Sequence, residues 1–208
     1  MVQTLSAQKV TLFDLSQTFG LERTIDAKFF PEWQETLPEL SDFEKQMLDE
    51  VKGDYLHLSK YPLLEPIVKM VVLAPLLKLA GFYRAPFYVT AEKEVTLTSE
   101  DEDTVIQGKV DLLVFHPDFW ITLIEAKRAA YSLEAAMPQA LAYMLSASVA
   151  ETPSFGLVTN GGEFRFIKLV RSPTPQYALS DLFSLDSRDD IDTILEILKH
   201  LGQLVSQS

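Results

Sequence analysis

Residues 108–127 read Gly-Lys-Val-Asp-Leu-Leu-Val-Phe-His-Pro-Asp-Phe-Trp-Ile-Thr-Leu-Ile-Glu-Ala-Lys. Two apolar, β-branched runs flank a turn around Pro117-Asp118-Phe119, which is the pattern of a β-hairpin. Such a turn pairs positions whose numbers add to about 236, so we expect Asp111 to lie opposite Glu125. Opposed residues of an antiparallel pair share a face, with Cβ atoms about 4.5 to 5.5 Å apart. The two carboxylates are therefore expected to meet.

Two carboxylates this close repel each other unless a cation joins them. Oxygen ligands of this kind suit Mg²⁺ or Mn²⁺, so we predict that Asp111 and Glu125 bind one divalent cation. Lys127 is expected on the same strand face as Glu125, since side chains alternate along a strand. A cation activates water, and an ammonium group stabilises charge developing at phosphorus, so the pattern predicts phosphodiester hydrolysis. A surface ion-pair ladder, worth under about 1 kcal/mol, is the alternative interpretation.

The spacing of these residues matches a known pattern. Asp111, thirteen intervening positions and then Glu125-Ala-Lys127 resemble the PD-(D/E)xK nuclease superfamily. Val110 stands where the family name has proline, a departure that leaves the acidic ligand in place. The resemblance implies that Asp111, Glu125 and Lys127 are catalytic and that the two carboxylates bind Mg²⁺ or Mn²⁺.

Residues downstream of this motif extend the resemblance. Gln139-Ala-Leu-Ala-Tyr143 resembles the Gln-x-x-x-Tyr element in the nuclease domain of type I restriction enzyme motor subunits. A spacing of four places Gln139 and Tyr143 on one helical face. Residues 158–166 resemble the strand and turn that follow in the same domain, so the similarity in topology runs from about residue 63 to residue 169. It implies that Gln139, Tyr143 and Arg128 contact the DNA substrate.

Glu65 is a further acidic candidate for the catalytic site, because superfamily members often carry one on the helix before the hairpin. Pro66 follows it directly, so Glu65 equally fits a first-turn residue that the helix dipole favours. Both interpretations stay open at this point. The chain has no Gly-x-x-x-x-Gly-Lys-Ser/Thr loop, so a translocating motor or a specificity subunit would be a separate partner.

The composition is that of a folded domain. The chain has 208 residues, 47% of them hydrophobic, and no cysteine, which excludes disulfides, thiolate zinc sites and cysteine nucleophiles. We expect one nuclease-like domain over residues 1–208, with residues 1–60 a helical N-terminal extension. We read no signal peptide and no membrane span, so we expect a soluble, cytoplasmic protein.

The net charge of −12 argues against general attraction to nucleic acid, because phosphates would be repelled. The charge is unevenly distributed. Residues 105–171 hold six basic and six acidic side chains, so the remainder holds 12 basic and 24 acidic ones. A polyanion is therefore expected to approach this central segment. Within it, Arg165 and Lys168 stand at an odd spacing and cannot share one strand face.

The local patterns predict an α/β protein of the α+β type. Ser41 and Glu44 have the spacing of a helix capping box, and we expect helices over the first 80 residues. The resemblance implies a restriction-endonuclease-like core, with a central mixed β-sheet flanked by helices. Strands are expected at 82–90, 94–98, 105–116, 119–127, 155–159 and 164–170, with a turn at 160–162 and helices at 132–149 and 189–205.

Other functions fit parts of the pattern. The main alternative is a catalytically inactive nuclease fold that binds DNA or assembles a restriction, defence or repair system. A structural or signalling protein with an acidic face is a third. Ile191, Ile194, Leu198, Leu201 and Val205 form an amphipathic face that packs on its own sheet or, as the minority prediction, forms a homodimer. His57, His116 and His200 lack metal-site spacing and are interpreted as structural.

Overall fold

The computed structural model describes residues 3–90, 93–98, 104–110, 112–116, 119–123, 133–146 and 152–206. The protein is a mixed α/β structure in which helices flank β-sheets. The helical elements are α1 (Leu12–Phe19), α2 (Asp42–Leu58), α3 (Glu65–Val68), α4 (Ala74–Leu79), α5 (Leu133–Leu145) and α6 (Asp190–Ser206), with a 3₁₀ turn at Ala7–Lys9 and a π-helical turn at Lys69–Leu73. The strands are β1 (Gln3–Ser6), β2 (Glu22–Arg23), β3 (Tyr88–Thr90), β4 (Lys93–Thr98), β5 (Thr104–Val110), β6 (Leu112–His116), β7 (Phe119–Leu123), β8 (Ser154–Thr159), β9 (Glu163–Val170), β10 (Gln176–Leu179) and β11 (Phe183–Ser184).

Both parallel and antiparallel strand pairs are present, so the sheet structure is mixed. β9 pairs antiparallel with β8, β10 and β11, and β10 continues to β2 in parallel. A second group has the order β1-β5-β4 and a third the order β3-β6-β7, with β7 lying against β8. Pairs in β3–β6 and β4–β5 both have residue numbers that add to 203, so the register is the same before and after Asp111.

The central strands are buried on both faces. Along β9, Phe164 and Phe166 join a core with α2, α4 and α6, whereas Ile167 and Leu169 join a core with α1 and α5. This alternation follows from the two-residue period of a strand. Helices therefore cover the sheet on both sides, and α5 lies on the face opposite to α6.

The closing helix α6 packs inside its own chain. Ile191, Ile194, Leu198 and Leu201 are all buried in the core that also contains α2 and α4. The prediction that this amphipathic face packs on its own sheet is thus confirmed for these four residues. Because their side chains are already covered, they do not provide a seam for a coiled-coil dimer.

The first 80 residues contain strands as well as the predicted helices. β1 pairs in parallel with β5, and β2 pairs in parallel with β10, so both short strands join sheets built by distant parts of the chain. The predicted strand at 82–90 is also shorter, since only Tyr88–Thr90 is extended and the preceding residues form turns. β10 and β11 were not predicted. The N-terminal region is therefore only partly a helical layer.

The capping box predicted at the start of α2 is confirmed. The Ser41 hydroxyl accepts from the Glu44 backbone N–H, and the Glu44 carboxylate accepts from the Ser41 backbone N–H at 2.8 Å. Lys199 of α6 also donates to Glu44, at 2.6 Å. Burial acts to raise the pKa of Glu44, but the hydrogen bonds from Lys199 and Ser41 outweigh it, so this pKa lies below its ordinary value.

Glu44→Gln is expected to destabilise the fold by about 0.5–1 kcal/mol at pH 7, because it removes the charge that attracts Lys199. A carboxyl with a lowered folded-state pKa stabilises above its unfolded pKa, and this contribution is lost as pH falls through the folded value. The cost should therefore shrink towards pH 3. Urea unfolding at both pH values measures it, with Asp42→Asn in the same helical turn as the control. A cost independent of pH would contradict the assignment.

Gly161 makes the predicted turn between β8 and β9 possible. Its φ is +91°, a conformation that costs a side-chain-bearing residue strain. The Asn160 side-chain oxygen accepts from the backbone N–H groups of Gly162 and Glu163, so the turn is closed by its own residues. The turn also packs on α3, because a Cβ added at Gly161 would lie 2.6 Å from a methyl carbon of Val68.

Gly161→Ala is expected to destabilise the protein by at least about 1 kcal/mol, because backbone strain adds to the close approach of Val68. Gly53→Ala is the matched control. Gly53 lies inside α2 with nothing within 4 Å of an added Cβ, so this change should stabilise by up to about 1 kcal/mol. Chemical denaturation of both variants gives the comparison. Equal stability of the two would show that the turn tolerates a side chain.

Candidate functional site

Four of the residues predicted for the site lie outside the described part of the chain. These are Asp111, Glu125, Lys127 and Arg128. The structure does describe the elements that lead to them. β5 ends one residue before Asp111, β6 begins one residue after it, and β7 ends two residues before Glu125.

The predicted hairpin is present between β6 and β7. The described pairs run from Leu112 with Leu123 to His116 with Phe119, so their residue numbers add to 235. The predicted value of about 236 counted Phe119 as part of the turn, whereas Phe119 pairs with His116 and belongs to β7. The register of the described ladder therefore differs by one from the value used to place Asp111 opposite Glu125. Register decides which side chains share a face.

Gln139 and Tyr143 lie together on α5, as their spacing predicts. The Gln139 side-chain amide donates to the Tyr143 hydroxyl at 2.8 Å. Tyr143 is only 2% exposed, while Gln139 is half-buried. α5 contacts β7 as well as β8 and β9, so the pair is carried by the helix that packs on the hairpin strand leading to Glu125.

Glu65 begins α3 and forms an ion pair with Lys69 one turn later. Leu64 is the N-cap and Pro66 occupies the first turn, so the acidic side chain lies where the helix dipole favours it. These contacts match the interpretation of Glu65 as a helix-start residue. Within the described part of the chain, these contacts do not place Glu65 beside another residue predicted for the site.

The basic residues of β9 have local partners. The Lys168 ammonium forms an ion pair with Glu32 and lies 5.7 Å from the ring centroid of Phe29 and 5.9 Å from that of Phe155. Arg165, on the opposite face of the strand, donates to the Ser180 carbonyl at 3.1 Å. Lys168 is thus held by Glu32 and two aromatic rings of its own chain.

A polar cleft that the sequence did not indicate lies beside the β8–β9 turn. Glu163 and Asp186 both face Tyr55 there. Burial raises the pKa of the Tyr55 hydroxyl, and the two carboxylates raise it further. The lining residues are Tyr55, Asn160, Gly162, Glu163, Ser184 and Asp186. Because the lining carries negative charge and no basic side chain, this cleft is unsuited to phosphate.

Within the ranges that the structure describes, no group of three or more His, Asp or Glu side chains is arranged to hold a metal ion. The His200 ring is mostly buried, with Nε2 3.6 Å from a Glu35 oxygen, and the His57 ring packs edge-on against Tyr61. Both fit the structural role predicted for them. Asp111 and Glu125, the two predicted metal ligands, lie outside these ranges.

The comparisons with known proteins give no family assignment, since no protein-family model and no curated protein matches the chain. Among the described helices, none is both long and apolar enough to cross a membrane.

Proposed function

We propose that the protein is a cytoplasmic, Mg²⁺-dependent DNA endonuclease built on a restriction-endonuclease-like core. Asp111 and Glu125 hold the cation, and Lys127 stabilises the charge that develops on the scissile phosphate. Gln139, Tyr143 and Arg128 contact the DNA. Mn²⁺ is expected to substitute for Mg²⁺ at this site, since both accept oxygen ligands.

The observation that supports the proposal best is the packing of α5 on the hairpin. α5 carries the Gln139–Tyr143 hydrogen bond and contacts β7, whose chain continues to Glu125 and Lys127. The Gln-x-x-x-Tyr pair thus lies on a helix that touches the strand preceding the Glu-x-Lys segment in the sequence. The alternative interpretation, a surface ion-pair ladder, does not account for the hydrogen bond between Gln139 and the buried Tyr143 on α5.

The donor set fits a divalent cation of the Mg²⁺ class, because two carboxylates supply hard oxygen ligands and leave positions for water and phosphate. Bound there, the cation would polarise the phosphate and activate water. In the sequence, Lys127 adds a positive charge two residues after Glu125. These residues of the chain orient the substrate and stabilise charge.

The purified protein with linear duplex, circular duplex and single-stranded DNA tests the proposal directly. Cleavage is expected with Mg²⁺ or Mn²⁺ and should stop when a chelator is added. Cleavage that persists in the chelator would exclude the metal-dependent mechanism. Binding of DNA without cleavage under any of these conditions would support the inactive DNA-binding or assembly subunit instead.

Gln139→Ala is expected to weaken cleavage and DNA binding, with a smaller effect on metal affinity. The reason is that its amide is fixed by Tyr143 beside the hairpin rather than being a metal ligand. Gln139→Met, which keeps the side-chain length but has no N–H donor, separates the hydrogen bond from packing. DNA affinity measured in chelator and Mn²⁺ affinity measured without DNA give the two readouts. Loss of Mn²⁺ binding in both variants would contradict the role.

A further inference from the structure

The loop between α4 and β3 presents aromatic and basic side chains outward on an anchored backbone. Phe82 and Phe87 point inward, with ring centroids 4.9 Å apart and Phe82 fully buried. The same two rings lie against the backbone at Gly202 of α6. Between and beside them, Tyr83 is 50% exposed and Tyr88 is 56% exposed.

Backbone hydrogen bonds hold this loop in shape. The Arg84 N–H donates to the Gly81 carbonyl at 3.1 Å, and the Phe87 N–H donates to the Arg84 carbonyl at 3.0 Å. Arg84 is exposed and is the only charged residue of the sequence between Gly81 and Tyr88. Because these bonds already fix the backbone of the loop, a ligand that binds here has to order only the side chains.

The charge around the loop differs from that of the rest of the protein. Residues 60–90 hold four basic side chains and one acidic one, so the other residues hold 14 basic and 29 acidic side chains. This segment therefore has a net charge of +3 in a chain whose remaining net charge is −15. A polyanion that the chain as a whole repels is attracted here.

The loop is connected to the described strands that flank Asp111 in the sequence. It leads into β3, where Tyr88 pairs with Phe115 and Thr90 pairs with Leu113 of β6. β6 begins one residue after Asp111. Along β6, Phe115 and Leu112 are three residues apart, which corresponds to about 10 Å at roughly 3.4 Å per residue.

We propose that the Gly81–Tyr88 loop binds a single-stranded stretch of the DNA substrate, with Tyr83 stacking on an unpaired base and Arg84 contacting a phosphate. This inference rests on the proposed function for the identity of the polymer. A single strand is the occupant because a base within a duplex has no free face for an exposed tyrosine. The proposal adds a substrate-contacting surface outside the Asp111, Glu125 and Lys127 constellation.

Fluorescence anisotropy with labelled oligothymidine in chelator tests the loop without cleavage. Tyr83→Ala should weaken binding at least about fivefold with an unchanged salt dependence, and Tyr83→Phe should restore it. Arg84→Ala should weaken binding and lower the slope of log K against log salt by about 0.7, the value for one phosphate on a single strand. Phe13→Ala and Arg188→Ala, which change an exposed aromatic and an exposed arginine elsewhere, are the controls and should bind as wild type does.

The outcomes separate the loop from the nuclease. Cleavage by wild type in Mg²⁺, together with unchanged oligothymidine affinity of Tyr83→Ala and Arg84→Ala, would overturn the loop and leave the proposed function standing. Wild type that binds oligothymidine through Tyr83 but cuts no DNA would support the loop and count against the nuclease. Equal losses in the loop variants and the two controls would overturn the loop, since they would show a nonspecific effect of charge or surface area.

Discussion

Asp111→Ala is expected to abolish both Mn²⁺ binding and DNA cleavage. The proposal assigns the cation to two carboxylates, and removal of one leaves a single oxygen ligand group that competes poorly with water for a divalent ion. Calorimetric titration of Mn²⁺ should show one site in wild type and none in the variant. Because a ligand bound only by the native state raises stability, Mn²⁺ should also raise the melting temperature of wild type alone.

Asp181→Ala is the matched control for this experiment, since it removes an exposed aspartate far along the chain from the hairpin. It should bind Mn²⁺ and cut DNA as wild type does. Asp111→Asn separates the effect of charge from that of side-chain size. It keeps the size and one oxygen ligand but loses the negative charge. Equal Mn²⁺ binding by wild type and Asp111→Ala would remove the metal assignment. Absence of any thermal shift in wild type would favour a structural or signalling role.

Local signals in the sequence were sufficient for the start of α2 and for α6. The capping box at Ser41 and Glu44 depends on residues three positions apart, and both of its hydrogen bonds are present. The amphipathic face of α6 depends on steps of three and four, and its residues are buried as that period requires. Such features are predictable because the residues that create them are neighbours along the chain.

Short strands that depend on distant partners were not predictable in this way. Gln3 of β1 pairs with Thr104, and Glu22 of β2 pairs with Gln176, so each strand is stabilised by residues about a hundred or more positions away. β2 has only two residues, which is too short for an alternating pattern to be recognised. The tertiary pairing creates these strands, whereas their local sequences do not specify them.

Among the residues predicted for the site, those on a helix were easier to place from their spacing than those on strands. Residue type and spacing identified Gln139 and Tyr143 on one helix face, and the hydrogen bond between them agrees with that. The hairpin register depends on how many residues form the turn, and assigning Phe119 to the turn moved the predicted register by one. A slip of one residue reverses the face of every side chain on a strand, so motif residues on strands are the most sensitive to this count.

The role proposed for Lys127 predicts a separation of binding from cutting. If its ammonium group acts only on charge that develops as the phosphodiester bond breaks, Lys127→Ala lowers the chemical step and leaves ground-state affinity nearly intact. Loss of one well-placed electrostatic group lowers a rate by about a hundredfold or more. Single-turnover cleavage with excess protein should therefore slow by at least about that factor, while DNA affinity in chelator and Mn²⁺ affinity stay close to wild type.

Lys28→Ala is the control, because Lys28 is exposed and its loss changes the net charge by the same amount. It should cut DNA at the wild-type rate. If Lys127→Ala also cuts at that rate, the activity belongs to another site or to a contaminant. If wild type and Lys127→Ala both bind DNA and neither cuts any substrate, the inactive-subunit alternative replaces the nuclease. Parallel losses of metal affinity and cleavage in Lys127→Ala would instead make the lysine a residue that positions the carboxylates, since a group acting only in the transition state leaves the metal site unchanged.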